Sequence, residues 1–90
     1  MTAELTMLQS QGANVREITS DSRKVRDGAL FLAYPGEHAD GRAFIAQAVS
    51  KGAAAVLWER DGFSWDPSWQ VPNLAVDGLR MQTGFIADEF

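Results

Sequence analysis

The sequence predicts an α/β domain, with a small mixed sheet of about four strands flanked by helices. Three observations carry that reading. Residues 29–34 are almost wholly apolar, which suits a strand covered on both faces. Pro35-Gly36 ends the run, and Asp40 stands where an N-cap belongs, ahead of a helical pattern over 41–51 that Gly52 stops. A second apolar run follows over 53–58, so strand, helix and strand make a crossover unit with parallel strands.

The other elements fit around this unit. Residues 3–11 place Leu5, Met7 and Leu8 among polar neighbours and end at Gly12, a short helix with a glycine stop. Residues 15–20 alternate enough (Val15, Glu17, Ile18, Ser20) for a short strand. Residues 24–28 close with Asp27-Gly28, a turn signal. The helix over 41–51 is expected to bury Phe44, Ile45, Ala48 and Val49 and to leave Arg42 and Gln47 outside. Residues 59–72 are polar, contain proline and carry Phe63, Trp65 and Trp69, which reads as a long surface excursion. A further short strand covers 73–76. Asp77 is then expected to cap a final helix with Leu79, Phe85, Ile86 and Phe90 as its apolar positions. The chain stops at Phe90 inside that pattern, so the expectation is a fragment cut at a domain boundary.

Composition narrows the function. Ninety residues, 46 % hydrophobic and 22 % charged, give one ordinary globular domain rather than a disordered segment. A net charge of −4 argues against a nucleic-acid binder and means that an anionic ligand must be held by local geometry. Cysteine is absent, which removes disulfides and thiolate chemistry. Zinc would have to rely on His38 and carboxylates, so no metal site is expected. No apolar run reaches membrane-spanning length and no leader pattern opens the chain, which leads us to expect a soluble cytoplasmic domain without membrane insertion.

The stock of catalytic groups is poor. His38 as a base toward Ser20 or Ser22 would make a small hydrolase, but no signature of such a triad accompanies it. The phosphate loop Gly-x-x-x-x-Gly-Lys-[Ser/Thr] is missing, and no catalytic residue is expected in the chain. Binding is better supported. Ser20 and Ser22 flank Asp21 at a strand end, where hydroxyls and backbone groups can match the alternating carbonyl and N–H edge of a pyrimidine. The competing role for Asp21 or Ser22 is a local side-chain turn. Arg23 can meet a phosphate or pair with a nearby carboxylate. The 36–41 loop runs into a helix start, whose unpaired N–H groups and positive dipole end suit a diphosphate, and His38 can donate from that loop. Trp58, Trp65 and Trp69 can form a stacking platform or pack the long loop on the sheet.

The string Asp21-Ser22-Arg23-Lys24-Val25-Arg26-Asp27-Gly28-Ala29-Leu30-Phe31-Leu32-Ala33, followed by Gly36, Asp40-Gly41, Phe44-Ile45, Ala48 and Gly52-Ala53, resembles the N-terminal domain of the Mur ligases. Val71-Pro72-Asn73-Leu74-Ala75-Val76 fits as well. Several separated motifs in one order are more specific than any single loop. Within the family, Asp-Ser-Arg and the glutamate/histidine loop look most like the type that extends UDP-N-acetylmuramoyl-L-alanyl-D-glutamate by the third residue, either diaminopimelate or lysine. The runner-up is the type that adds D-alanyl-D-alanine.

The resemblance implies a three-domain ligase of peptidoglycan biosynthesis that uses ATP and magnesium, with residues 1–90 binding the UDP end of the precursor. The central domain with its ATP loop, and the C-terminal domain that selects the amino acid, would be partners outside these ninety residues. The parent enzyme would activate the precursor carboxylate as an acyl phosphate for attack by the incoming amine. Carried over by position, the substrate contacts fall at Ser20, Ser22, Glu37, His38 and Ala39. Glu37-His38-Ala39 departs from the His-Gln-Ala order of some members, which puts the histidine one place out of step. The alternative from another class is a protein-interaction module that docks through 59–72, for which exposed aromatics would speak and burial against the sheet would count against.

Overall fold

The computed structural model describes residues 2–36 and 39–81. Four strands, β1 (Glu17–Thr19), β2 (Ala29–Ala33), β3 (Ala55–Glu59) and β4 (Asn73–Val76), lie in the order β1-β2-β3-β4. Helix α1 (Thr2–Ser10) precedes them. A 3-10 turn (Gly41–Phe44) leads directly into helix α2 (Ile45–Ser50) between β2 and β3. A second 3-10 turn (Ser22–Lys24) lies between β1 and β2.

The α/β class and the four strands are as expected, but all three strand pairs are parallel where a mixed sheet was expected. The cause is where the connections run. Val25 from the first connection, Ile45 and Ala48 from the second, and Phe63, Trp65, Trp69 and Val71 from the third all pack with Ala29, Phe31, Ala33, Val56 and Trp58. Each connection therefore crosses the same face of the sheet and re-enters in the same direction, as crossovers of a single hand require. With every crossover on one face, the opposite face needs separate cover. Leu8 of α1 and Leu79 provide it, against Leu30, Leu32, Ala55, Leu57 and Val76.

Strict alternation follows from the pleat. Odd positions of β2 face α2 and even positions face α1, and all five are buried. This explains the unbroken apolar run of the sequence, since a strand covered on both faces has no polar side.

Two side chains of the second connection reverse the sequence expectation. Phe44 is 39 % exposed, and Arg42 is buried. Residues 41–44 wind at three residues per turn, so the apolar face read with an α-helical period rotates over this stretch. Ile45 and Ala48, within the α-helical part, are buried as expected, and Val49 is partly so.

The 60–72 stretch is an excursion with no strand or helix of its own, but its aromatics are not displayed to solvent. Trp65 stacks on Trp58 with ring centroids 5.7 Å apart, Phe63 meets Trp58 edge-on at 5.7 Å, and Trp69 meets Trp65 edge-on at 5.1 Å. The Trp58 indole N–H donates to Asn73 Oδ1 at 3.0 Å, which satisfies the polar atom of a buried ring. Packing of the long loop is thus the realised role. The Leu79 N–H donates to Glu59 Oε1 at 2.9 Å where a helical turn begins. The expected helix positions Phe85, Ile86 and Phe90 lie outside the described residues.

Candidate functional site

At the carboxyl ends of β1 and β2 the chain leaves the sheet through two loops, and the space between them is a cavity of ≈ 480 Å³. Crevices beyond the carboxyl ends of parallel strands are where open α/β sheets take ligands, and this volume falls in the range of small-molecule sites.

One wall is the turn after β1. The Asp21 N–H donates to Thr19 Oγ1 at 3.0 Å, and Asp21 Oδ1 accepts from the Arg23 N–H at 2.9 Å, capping the 3-10 turn Ser22–Lys24. The Arg23 guanidinium then forks back onto the same carboxylate, with Nε to Oδ1 at 3.0 Å and Nη2 to Oδ2 at 2.9 Å. That guanidinium and the Arg23 N–H hold the Asp21 carboxyl well below its ordinary value, at about 2. Asp21 is therefore the turn former and Arg23 its partner. Behind them, Lys51 Nζ donates to the Ser22 carbonyl at 3.2 Å, tying the end of α2 to this turn. Ser22 is buried at the cavity wall and Ser20 is exposed at its rim.

The other wall is the stem of the loop after β2. Pro35 and Asp40 pair as an antiparallel bridge, in which the Gly36 N–H donates to the Ala39 carbonyl at 2.8 Å and the Gly41 N–H to the Tyr34 carbonyl at 2.9 Å. Gly41 suits this close approach: a Cβ there would lie 3.2 Å from the Tyr34 oxygen and 3.3 Å from its nitrogen, so the Tyr34 backbone would have to give by a few tenths of an ångström. Asp40 repeats the arrangement of Asp21. Its Oδ1 caps the Arg42 N–H at 2.9 Å, and the Arg42 guanidinium returns to both carboxylate oxygens at 2.8–3.1 Å. The Arg42 side chain, chiefly through its hydrogen bonds, lowers the Asp40 pKa. The N-cap expected at Asp40 is present. It also means that this helix start already carries a carboxylate, so a diphosphate does not meet a bare N-terminus there.

Of the five residues expected to contact substrate, Ser20, Ser22 and Ala39 line this one cavity, which brings together loops from two strand ends. Glu37 and His38 lie outside the described residues. Sequence reasoning missed the apolar part of the lining, Leu32, Tyr34 and Phe44, together with Gln47. Tyr34 was legible in principle as the polar-tipped residue that closes the otherwise apolar run 29–34. Phe44 was not, because its exposure depends on the 3-10 winding. Among the described residues no group of three histidine, cysteine, aspartate or glutamate side chains is placed to hold a metal ion.

Residues 14–90 match the family profile described as "Mur ligase family, catalytic domain". The chain belongs to the Mur ligase family. The resemblance of the Asp21-to-Ala53 motifs is thereby established on independent grounds. Among curated Mur ligases, the chain is 54 % identical over 82 residues to UDP-N-acetylmuramoyl-L-alanyl-D-glutamate--2,6-diaminopimelate ligase of Chromobacterium violaceum, covering 90 % of this chain and 17 % of that protein. It is 51 % identical over 76 residues to the ligase of the same name from Pseudomonas aeruginosa, covering 84 % of this chain and 16 % of that protein. The chain thus spans about one-sixth of the length of the Mur ligases it matches.

Solved structures agree. The MurF ligase from Thermotoga maritima in complex with ADP superposes with a TM-score of 0.64 at 28 % identity, over 86 % of this chain and 17 % of that one. MurF from Acinetobacter baumannii gives a TM-score of 0.59 at 31 % identity, over 74 % and 14 %. No helix among the described residues is long and apolar enough to cross a membrane.

Proposed function

We propose that residues 1–90 form the domain of a cytoplasmic ATP-dependent amino-acid ligase that holds the UDP end of UDP-N-acetylmuramoyl-L-alanyl-D-glutamate, in an enzyme that adds 2,6-diaminopimelate. The observation that carries this reading is the convergence of the 20–23 turn and the stem of the 35–41 loop on one cavity at the strand ends. Ser20 and Ser22 offer hydroxyls that donate and accept along a pyrimidine edge. Tyr34, Leu32 and Phe44 supply the apolar surface on which a flat ring loses water. Ala39, with Glu37 and His38, belongs to the loop assigned to the diphosphate.

The choice of amino acid rests on the curated relatives at 46–54 % identity, which carry the diaminopimelate-adding name. The D-alanyl-D-alanine-adding type is the second reading, favoured by the MurF structures that share the fold. The interaction-module reading loses its premise, since Phe63, Trp65 and Trp69 pack on the sheet.

These residues do not fit ATP or magnesium. The sequence lacks a lysine-bearing phosphate loop, and the described residues lack a metal-ligand cluster. Both groups are assigned to the central domain of the ligase, and the amino-acid choice to its C-terminal domain.

The test is a titration of the isotope-labelled chain with UDP and with UDP-N-acetylmuramoyl-L-alanyl-D-glutamate, following backbone amide shifts. Saturable shifts at residues 20–23 and 34–41 are expected. Ser22→Ala should weaken UDP binding by roughly 2- to 13-fold, the loss of one net hydrogen bond of about 0.5–1.5 kcal/mol. Shifts confined to other surfaces, or none at millimolar ligand in a folded chain, would overturn the site.

A further inference from the structure

We propose that Arg42 is a positioning residue, whose buried guanidinium fixes the stem of the 35–41 loop and so sets one wall of the ligand cavity. The inference rests on the function reading only for its ligand arm, because the stem itself is defined without any ligand.

Arg42 opens a surface helix, where an arginine normally reaches into water, yet its side chain is 9 % exposed while its partner Asp40 is 42 % exposed. The guanidinium is held along its edges and over one face. One edge forks onto the Asp40 carboxylate. Nη1 donates to the Glu59 carbonyl at 3.0 Å and to the Asp61 carbonyl. The plane lies over the Phe63 ring, 5.1 Å from its centroid. Glu59 and Asp61 belong to the end of β3 and the turn after it, so one side chain joins the base of the 35–41 loop to the neighbouring strand end. A planar, five-donor group makes those bonds together, which an ammonium point charge cannot do.

Among the described residues the stem is held by the Pro35–Asp40 bridge, with the Gly36 and Gly41 N–H groups donating across it, and the Arg42 joint adds the tie to β3. Its Asp40 leg leads directly into the residues that line the cavity, Gly36, Ala39 and Gly41. With the guanidinium gone, Asp40 keeps its cap on the Arg42 N–H but loses the tie to β3.

Two variants test this, Arg42→Lys and Asp40→Asn. The second changes a half-exposed side chain that still accepts the capping N–H, so it retains the fold. Amide hydrogen exchange is read at Gly36 and Gly41, with Ala54 and Val56, whose N–H groups bond to the Ala29 and Pro72 carbonyls, as reporters of the sheet. Gly36 and Gly41 should exchange at least about tenfold faster in both variants, with Ala54 and Val56 changed by less than about threefold. UDP affinity should fall by a comparable factor. If Gly36 and Gly41 lose no more protection than Ala54 and Val56, Arg42 is a general stabiliser and the proposal is overturned. If Arg42→Lys does not fold, Asp40→Asn decides by the same criterion. A loosened stem with UDP affinity unchanged also overturns the positioning role. Should the unmodified chain bind no UDP, the function reading falls, while the exchange comparison still decides what Arg42 does to the stem.

Discussion

Trp65→Ala separates a packed aromatic loop from a displayed one. Trp65 makes two ring contacts, stacked on Trp58 at 25° between planes and edge-on to Trp69 at 84°. Pairs of this kind contribute about 0.5–1.5 kcal/mol each beyond the area they bury. Trp65 is only partly buried, so its apolar loss is smaller than the ~3–5 kcal/mol of a fully buried tryptophan truncation. Together these give a destabilisation of about 2–3 kcal/mol. A domain of this size shifts its Tm by about 4–8 °C per kcal/mol, so the midpoint should fall by roughly 8–24 °C. Thermal and urea unfolding followed by far-ultraviolet circular dichroism measure it without relying on the deleted chromophore. A loss below about 0.5 kcal/mol, the ordinary scale of a surface substitution, would refute the packing argument and return the 59–72 stretch to consideration as a docking surface.

Two further outcomes are expected. Phe31→Ala removes the largest fully buried side chain among the described residues, between the sheet and α2, and should cost about 3–5 kcal/mol, a large part of the roughly 5–13 kcal/mol expected for ninety residues; a chemical-denaturation midpoint within error of the parent would contradict the core described. The Asp21 carboxyl, held near 2 against an ordinary 3.8 by Arg23, has a depressed pKa in the folded chain, so its pairing stabilises the turn above about pH 4 and is lost as pH falls toward 2. Carbon-detected carboxyl titration should place the Asp21 midpoint near 2, and Arg23→Gln should raise it toward 3.8; a midpoint unmoved by that substitution would show that the guanidinium is not the cause.

What the sequence made legible depends on the range of the interaction involved. The strands 29–33 and 73–76, the Asp40 cap and the stop at Gly52 are written in adjacent residues, and each is found where it was expected. Ser20, Ser22 and Ala39 line one cavity because parallel pairing brings two strand ends side by side. The all-parallel sheet was missed because 20–28 and 60–72 contain no long helix to announce a crossover. The reversal of Arg42 and Phe44 was missed because a 3-10 start cannot be told from an α-helical one by spacing, and because the carbonyls that bury Arg42 lie 17 and 19 residues downstream.

The two walls of the cavity are built by one local pattern, Asp-x-Arg, used to different ends. Asp21-Ser22-Arg23 and Asp40-Gly41-Arg42 each open a 3-10 turn with an aspartate that caps the arginine N–H and receives its guanidinium. Burial separates their roles. Arg42 is enclosed by carbonyls and a ring, so its charge is committed to holding the stem. Arg23 is 84 % exposed, and its pairing with Asp21 is a solvent-screened surface contact of the kind that contributes little to stability. Among the described lining residues Arg23 is the one cation. In a chain of net charge −4, an anionic ligand at this cavity gains little from the overall field. The helix start after the second loop already carries Asp40. If the cavity holds a diphosphate as proposed, the cation that meets it among the described lining residues is Arg23, which would have to leave the Asp21 carboxylate to do so.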